Sequence, residues 1–503
     1  MHITALPLLA ILAVASPAAA AEPTATADRI AALERQLADL STHLSAVNAE
    51  LAELKGAHPA PPLAAPPPAA AQPVVTFAKG KPTIASADGG SAISVRGLFH
   101  FDAAAYLQDG AGPLATDFRR GSFGDATEAR RARDLNSGTN FRRARLGVDG
   151  KLVGDFDYSL VYEFGGSGAE DSGRVLDLWL QYSGLSPFRF RFGAFSPNVG
   201  LEDATSTNAI MFLERASSAE IARSLVGGDG RSAIQAYTNG RNSFGTVGVT
   251  GGVSGTSSNP FDEQIAVIGR VAYAPSWGDT TLHLGINGAA VLRPADAGLE
   301  ASGVRRAVRL RDRPELRVDG TRLIDTGDLE AQGAWSLGLE LALQHGPLLM
   351  QAEHETIGVD RPGTPDPRFG GWYAQAGWIL TGEARRWAPA AGAFDGPIPA
   401  RPFDLSTGDW GAWEVALRHS YMDLNHHDGV AGGVRGGEQT IWTAALNWYV
   451  NPSVRLMLQA QDVRVNRLSP GAGTFGAGAL TPPAGVQIGQ HLRSLTLRTQ
   501  LAF

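Results

Sequence analysis

No cysteine occurs anywhere in the 503 residues. The chain therefore has no disulfide framework, no thiolate metal site and no cysteine nucleophile. Lysine is nearly absent too, standing only at positions 55, 79, 81 and 151, so that almost every basic side chain is arginine. Charged residues of both signs amount to 18 % of the chain, below the usual quarter. The formal net charge of −7 and a pI near 5.9 exclude general nucleic-acid binding. Beyond the first twenty or so residues no run of about 18 apolar residues exists, which excludes a membrane-spanning helix there. GxSxG, HExxH and Walker patterns are missing as well, and no catalytic constellation takes their place, so neither an enzyme nor a cofactor is expected.

What the chain does contain changes character along its length. "MHITALPLLAILAVASPAAAAEP" has an apolar core from Ile3 to Val14 and then small residues, which reads as a secretory signal over residues 1–21. Residues 22–55 carry apolar side chains at Ile30, Leu33, Leu37, Leu40, Leu44, Val47, Leu51 and Leu54. The 3-4 spacing over four heptads predicts a coiled-coil helix, and Ile or Leu at the a positions admits a trimer. Gly56 ends the helix. The Ala/Pro-rich stretch that follows, within a linker taken to residue 90, predicts a semi-rigid spacer.

From residue 91 onward the period becomes two. "FRFRFGAFS" (188–196) puts Phe188, Phe190 and Phe192 on one face of a strand and Arg189 and Arg191 on the other. In a soluble sandwich the phenylalanines would form the core; in a membrane barrel they would face lipid and the arginines a wet lumen. Some sixteen such segments follow one another, near 92–106, 141–152, 156–164, 175–183, 188–196, 233–239, 244–253, 264–274, 280–292, 334–345, 348–359, 371–381, 411–424, 439–450, 453–465 and 491–503. Short links such as "VGD" and "HGP" alternate with long ones, as periplasmic turns alternate with extracellular loops in outer-membrane barrels. A sandwich has no reason to sort its loops in this way. The expectation is an all-β, transmembrane antiparallel barrel over 91–503. One link, 382–410, is long where a short turn is due, and the sequence offers no reason for it.

Four blocks resemble the phosphate-selective porins O and P: "FRRARLGVDGKLVGDFDYSLVYEFG" (141–165), "RFGAFSPNVGLEDATSTNAIMFLERASSAEIARS" (191–224), "GWYAQAGWILTGEARRW" (371–387), and "GAWEVALRHSYMDLN" with "LNWYVNPSVRLMLQAQ" near the C-terminus. The final Phe503 is similar to the terminal aromatic that the barrel-assembly machinery reads. The resemblance implies a homotrimer in the outer membrane of a Gram-negative bacterium and a third loop, 197–232, folded inward as a constriction. It also implies arginine ladders that pass inorganic phosphate, polyphosphate or related small anions. The helix would then lie in the periplasm.

Alternation places Arg96, Arg143, Arg145, Arg189, Arg191, Arg270, Arg418, Arg455 and Arg498 inward, and the third loop adds Arg215, Arg223 and Arg231. Arg143, Arg145, Arg189, Arg191, Arg215, Arg223, Arg231 and Arg270 are the candidate pore-lining, anion-binding residues, since a partly dehydrated anion needs charge-assisted donors. The same rule turns Asp102, Asp149, Asp157, Glu163, Asp177, Glu340, Glu353, Glu355 and Glu414 inward, so each arginine could equally form a wall-to-wall ion pair. A general or organic-solute diffusion pore is the runner-up, and a secreted soluble all-β binding protein the remaining class. "GAGTFG" (471–476) has no helix after it and reads as a loop. His426, His427 and Asp428 lack further metal ligands and read as a solvated loop.

Overall fold

A computed structural model describes residues 23–57, 72–78, 80–108, 135–165, 173–254, 261–298, 304–427, 430–468 and 487–503. The signal segment, most of the Pro-rich spacer, "GAGTFG" and Asp428 lie outside the described residues.

Sixteen antiparallel strands form the barrel: β1 (Ala92–Gln108), β2 (Gly138–Lys151), β3 (Phe156–Glu163), β4 (Arg174–Leu185), β5 (Phe188–Phe195), β6 (Arg231–Asn239), β7 (Ser243–Val253), β8 (Ile265–Tyr273), β9 (Thr280–Arg293), β10 (Gly333–His345), β11 (Leu348–Asp360), β12 (Arg368–Ile379), β13 (Ala412–His426), β14 (Val434–Tyr449), β15 (Val454–Leu468) and β16 (Gln487–Ala502). Each pairs with its sequence neighbours, and β16 pairs with β1 from Leu492↔Gln108 to Ala502↔Leu98, so the sheet has no free edge. At the seam Gly97 and Phe503 exchange backbone hydrogen bonds of 2.9 and 3.1 Å. A Cβ on Gly97 would lie 2.5 Å from the Phe503 ring, so a side chain there would displace the C-terminal aromatic.

The alternation read from the sequence is the alternation of the wall. Phe188, Phe190 and Phe192 are exposed on the outside, as are Leu337, Leu339 and Leu341, while Arg270, Arg418, Arg455 and Arg498 are wholly buried inside. Residues 74–85, assigned to the linker from sequence, instead form a hairpin of Val74–Ala78 and Lys81–Ala85 whose second strand pairs with β1 through Thr83↔Ser94. The short apolar alternation there suffices to extend an existing sheet, though not to start one.

Residues before Gln72 form a separate compact unit. Its described residues form the helix α1 (Pro23–Ala57). Ile30, Leu33, Leu37, Leu40, Leu44, Val47 and Leu51 are all exposed along it. The apolar seam from Ile30 to Leu51 thus stays exposed over about six helical turns, with no cover among the described residues of this unit.

Candidate functional site: the charged lumen

Among the described residues, three segments enter the barrel. The link between β5 and β6 carries α2 (Leu201–Ala204) and α3 (Ser217–Val226). It reaches the opposite wall. The Leu201 and Glu202 amides donate to Glu353 on β11 at 2.6 and 2.8 Å, and the Leu213 amide donates to Gln459 on β15 at 3.0 Å. Its carbonyls accept from Asn447 (to Met211, 2.9 Å) and Arg455 (to Ile210, 2.8 Å). The link between β9 and β10 dips in at residues 313–317, where Glu315 binds the Ser217 amide at 2.8 Å, Ser420 at 2.6 Å and Arg418.

The third segment explains the anomalous link 382–410. One arm enters from the short-turn end. Arg385 donates to Glu414 at 2.8 and 2.9 Å and to the Ala209 carbonyl at 2.6 Å. Ala393 and Phe394 pack under the first inward link against Leu201, Met211 and Phe212. Gly392 has φ +63°, and a Cβ there would lie 2.6 Å from Phe244, so only glycine fits the turn of this arm. The other arm returns over the outer rim: Phe403 and Trp410 join Trp413 and Trp448, and Trp448 donates to the Trp410 carbonyl at 2.7 Å. That aromatic cluster sits where an interfacial girdle belongs. The link is long because it does two jobs.

The eight candidate arginines separate into two groups. Six are held by charge or by carbonyls. Arg143 lies 3.5 Å from Glu214 and 3.2 Å from His100 Nδ1. Arg145 bridges Glu163 (2.5 Å) and Asp229 (3.0 Å). Arg215 is 3.7 Å from Asp203 and donates to the Glu202 and Asp203 carbonyls at 3.2 Å. Arg223 binds Asp203 at 2.5 Å and also Asp229. Arg231 donates to the carbonyls of Gly251 (2.8 Å), Ser224 (3.3 Å) and Gly227. Arg270 makes a two-pronged pair with Glu340, 2.8 Å on each prong, and caps the Gly392 carbonyl at 2.7 Å.

Arg189 and Arg191 differ. Arg189 donates to Asn239 Oδ1 at 2.7 Å, and Arg191 to Gln181 Oε1 at 2.9 and 3.2 Å. Both partners are neutral, and among the described residues neither guanidinium has an ion pair. Arg191 also lies over Trp179, 4.0 Å from the ring centroid, and 5.1 Å from that of Tyr237. The two half-exposed arginines share the short-turn half of the β1–β6 wall with Arg96, which is 45 % exposed and no closer than 3.9 Å to Asp177 or 4.0 Å to Asp149. Lys81, from the hairpin, binds Asp149 at 2.7 Å. Lys151 stands opposite Asp157 on the same face, so five cations (Lys81, Arg96, Lys151, Arg189 and Arg191) accompany three carboxylates (Asp149, Asp157 and Asp177) among the described residues on the part of the lining that water reaches.

Sequence reasoning missed the hub of the network, Glu214. It accepts from Arg142 at 2.8 and 3.0 Å and from Arg498 at 3.0 Å, with Arg317 at 3.7 Å. Burial pushes its carboxyl up, yet Arg142, Arg143, Arg498 and Arg317 together hold it well below the usual carboxylate range. Strict alternation would turn Arg142 toward lipid. A β-bulge, where His100 pairs with Arg143 and Phe101 with Phe141, leaves Arg142 as the extra residue and sends it inward. Removing one partner of such a buried network costs about 3–5 kcal/mol, so these pairs pin the inward link in place. Among the described residues no group of three potential metal ligands occurs. His426 and His427 stack at 4.0 Å at the end of β13.

A model of the family described as phosphate-selective porin O and P matches residues 118–474. An uncharacterized protein of Caulobacter vibrioides is 30 % identical over 465 residues, 88 % of this chain and 86 % of that protein. Porin O of Pseudomonas aeruginosa is 26 % identical over 349 residues, 65 % of this chain and 77 % of that one. Among solved structures, the anion-selective porin from Comamonas acidovorans superposes with a TM-score of 0.44 at 14 % identity, covering 82 % of this chain and all of that one.

Proposed function

The chain belongs to the phosphate-selective porin O and P family of the outer membrane, and from that premise we propose that it forms a water-filled channel for small anions, with phosphate or polyphosphate the leading solutes. The observation that carries the anion reading is Arg189 with Arg191: two adjacent lumen guanidiniums that, among the described residues, are bound by neutral side chains alone. An arginine already satisfied by a carboxylate has little attraction left for a passing anion, whereas one held by an amide oxygen keeps its full charge and spare donors. Arg96 supports them. Arg143, Arg145, Arg215, Arg223, Arg231 and Arg270 hold the inward segments and shape the constriction, which the link 197–232 makes together with residues 313–317 and 384–396. Preference for phosphate rests on the family; the lining itself favours small anions as a class.

Single-channel recording of the purified porin in a salt gradient tests this. The expected reversal potential is on the anion side, with chloride current blocked by added phosphate. A cation-selective potential would refute the reading. Anion preference without phosphate block would leave an unspecific anion porin or a pore for organic acids.

The exposed seam of α1 belongs to the same proposal. In our reading three chains associate through it in the periplasm, matching a trimeric barrel. A peptide of residues 27–55 is expected to be helical and trimeric, and Leu37→Asp with Leu44→Asp to abolish both properties. Sedimentation showing only monomer at high concentration would count against it.

A further inference from the structure

The outward face of β15 and β16 breaks the apolar pattern near the long-loop end. Leu458 and Ala460 on β15, and Leu495 and Leu497 on β16, are apolar and exposed. Above them come Asp462 and Arg464 on β15 and His491 and Arg493 on β16, in register as Asp462↔Arg493 and Arg464↔His491. Asp462 accepts from His491 at 2.9 Å and from Arg493 at 3.3 Å, and lies 3.6 Å from Arg464. One carboxylate thus serves two permanent cations and an imidazole. The Arg464 and Arg493 side chains are 74 % and 67 % exposed, so the surplus charge faces outward.

Across the seam the surface stays apolar. Arg493 pairs with Leu107 on β1, Leu495 with Ala105 and Leu497 with Ala103. Below lie the rings of Phe101 and Phe141, 5.2 Å apart. The two alanines make a shallow trough between those rings and the β16 leucines. No carboxylate stands on the outward faces of β1 or β2 among the described residues. In an outer-membrane barrel the long-loop end lies at the outer leaflet.

We propose that Arg464 and Arg493 bind the phosphate of a phosphorylated glycolipid of the outer leaflet, with an acyl chain lying along Ala103 and Ala105. The guanidiniums supply forked donors suited to a phosphate monoester, and the trough supplies the apolar surface directly beneath. Asp462 orients both arginines and, by its charge, limits affinity. The inference rests on the outer-membrane placement and not on anion conduction; a lumen that proved cation-selective would leave it untouched.

Native mass spectrometry of the detergent-purified porin, titrated with bisphosphorylated lipid A, tests it. Wild type is expected to retain the lipid, and the Arg464→Ala/Arg493→Ala variant to bind at least about tenfold more weakly. Dephosphorylated lipid should bind wild type no better than lipid A binds that variant. Asp462→Asn should tighten binding, an effect of opposite sign that a loss of fold could not produce. Arg368→Ala, an outward arginine near Trp335, should change nothing, and single-channel conductance should be the same in all variants. Equal retention of both lipids, equal retention by both proteins, or weaker binding by Asp462→Asn would overturn the proposal. Displacement of the lipid by inorganic phosphate alone would reassign the site to a free anion and overturn it likewise.

Discussion

Replacing Arg189 and Arg191 together by alanine will move the reversal potential in a salt gradient toward the cation side and weaken phosphate block by about tenfold or more. The two guanidiniums project from alternate positions of β5 and are held by Asn239 and Gln181. Each charge-assisted hydrogen bond to a bound oxyanion contributes about 1.5–3 kcal/mol, so losing even one exceeds a factor of ten. Chloride conductance should fall far less, since it depends on pore width and mean field. The fold should survive, because no buried carboxylate loses its partner. Arg223→Ala makes the contrast. It strips Asp203 and Asp229 of a shared cation, and its expected signature is a lower unfolding temperature of the barrel in detergent. If the double variant kept wild-type reversal and block, these arginines would not be the anion contact.

Excising residues 384–396 and joining Glu383 to Pro397 through a short Gly/Ser bridge will raise conductance about twofold or more. The ends of the cut are close, for Glu383 already accepts from the Ala400 amide at 2.9 Å. The excised arm fills lumen between Phe244, His283 and Leu201. Its loss also removes Arg385 from Glu414, which keeps only neutral donors, Tyr449 at 2.7 Å and Asn447 at 3.0 Å. A buried carboxylate left without its cation destabilises, by about 3–5 kcal/mol, so the shift from folded to unfolded gel mobility should occur at a lower temperature. Unchanged conductance would show that ions already bypass this arm and that the narrowing lies elsewhere.

The barrel was legible because every strand repeats one rule. Lipid on one side and water on the other impose period two, and all sixteen segments read from that period are strands in the structure. Their ends moved by a few residues: β14 begins at Val434, not near 439, and β12 at Arg368, not near 371. These added ends carry paired glycines, Gly370–Gly371 and Gly436–Gly437, which have no side chain to show an alternation. The hairpin at 74–85 escaped notice for a related reason, being too short to show a pattern before it pairs.

The sequence by itself determined the strand count, the sidedness of each strand, the inward direction of the arginines and the heptad seam of α1. All of these follow from residues near in sequence whose environments alternate with a fixed period. Only the tertiary structure decided which inward arginines remain available. Arg191 and Arg270 look alike along the chain, yet Gln181 faces one and Glu340 the other. The gathering of Arg142, Arg143, Arg317 and Arg498 on Glu214, and the path of the 382–410 link into the lumen, were likewise invisible. Those partners are separated by up to 284 positions, and no local period encodes a meeting across the barrel. It depends on closure of the wall, on a single bulge in β2, and on which loop happens to fill the space that closure leaves.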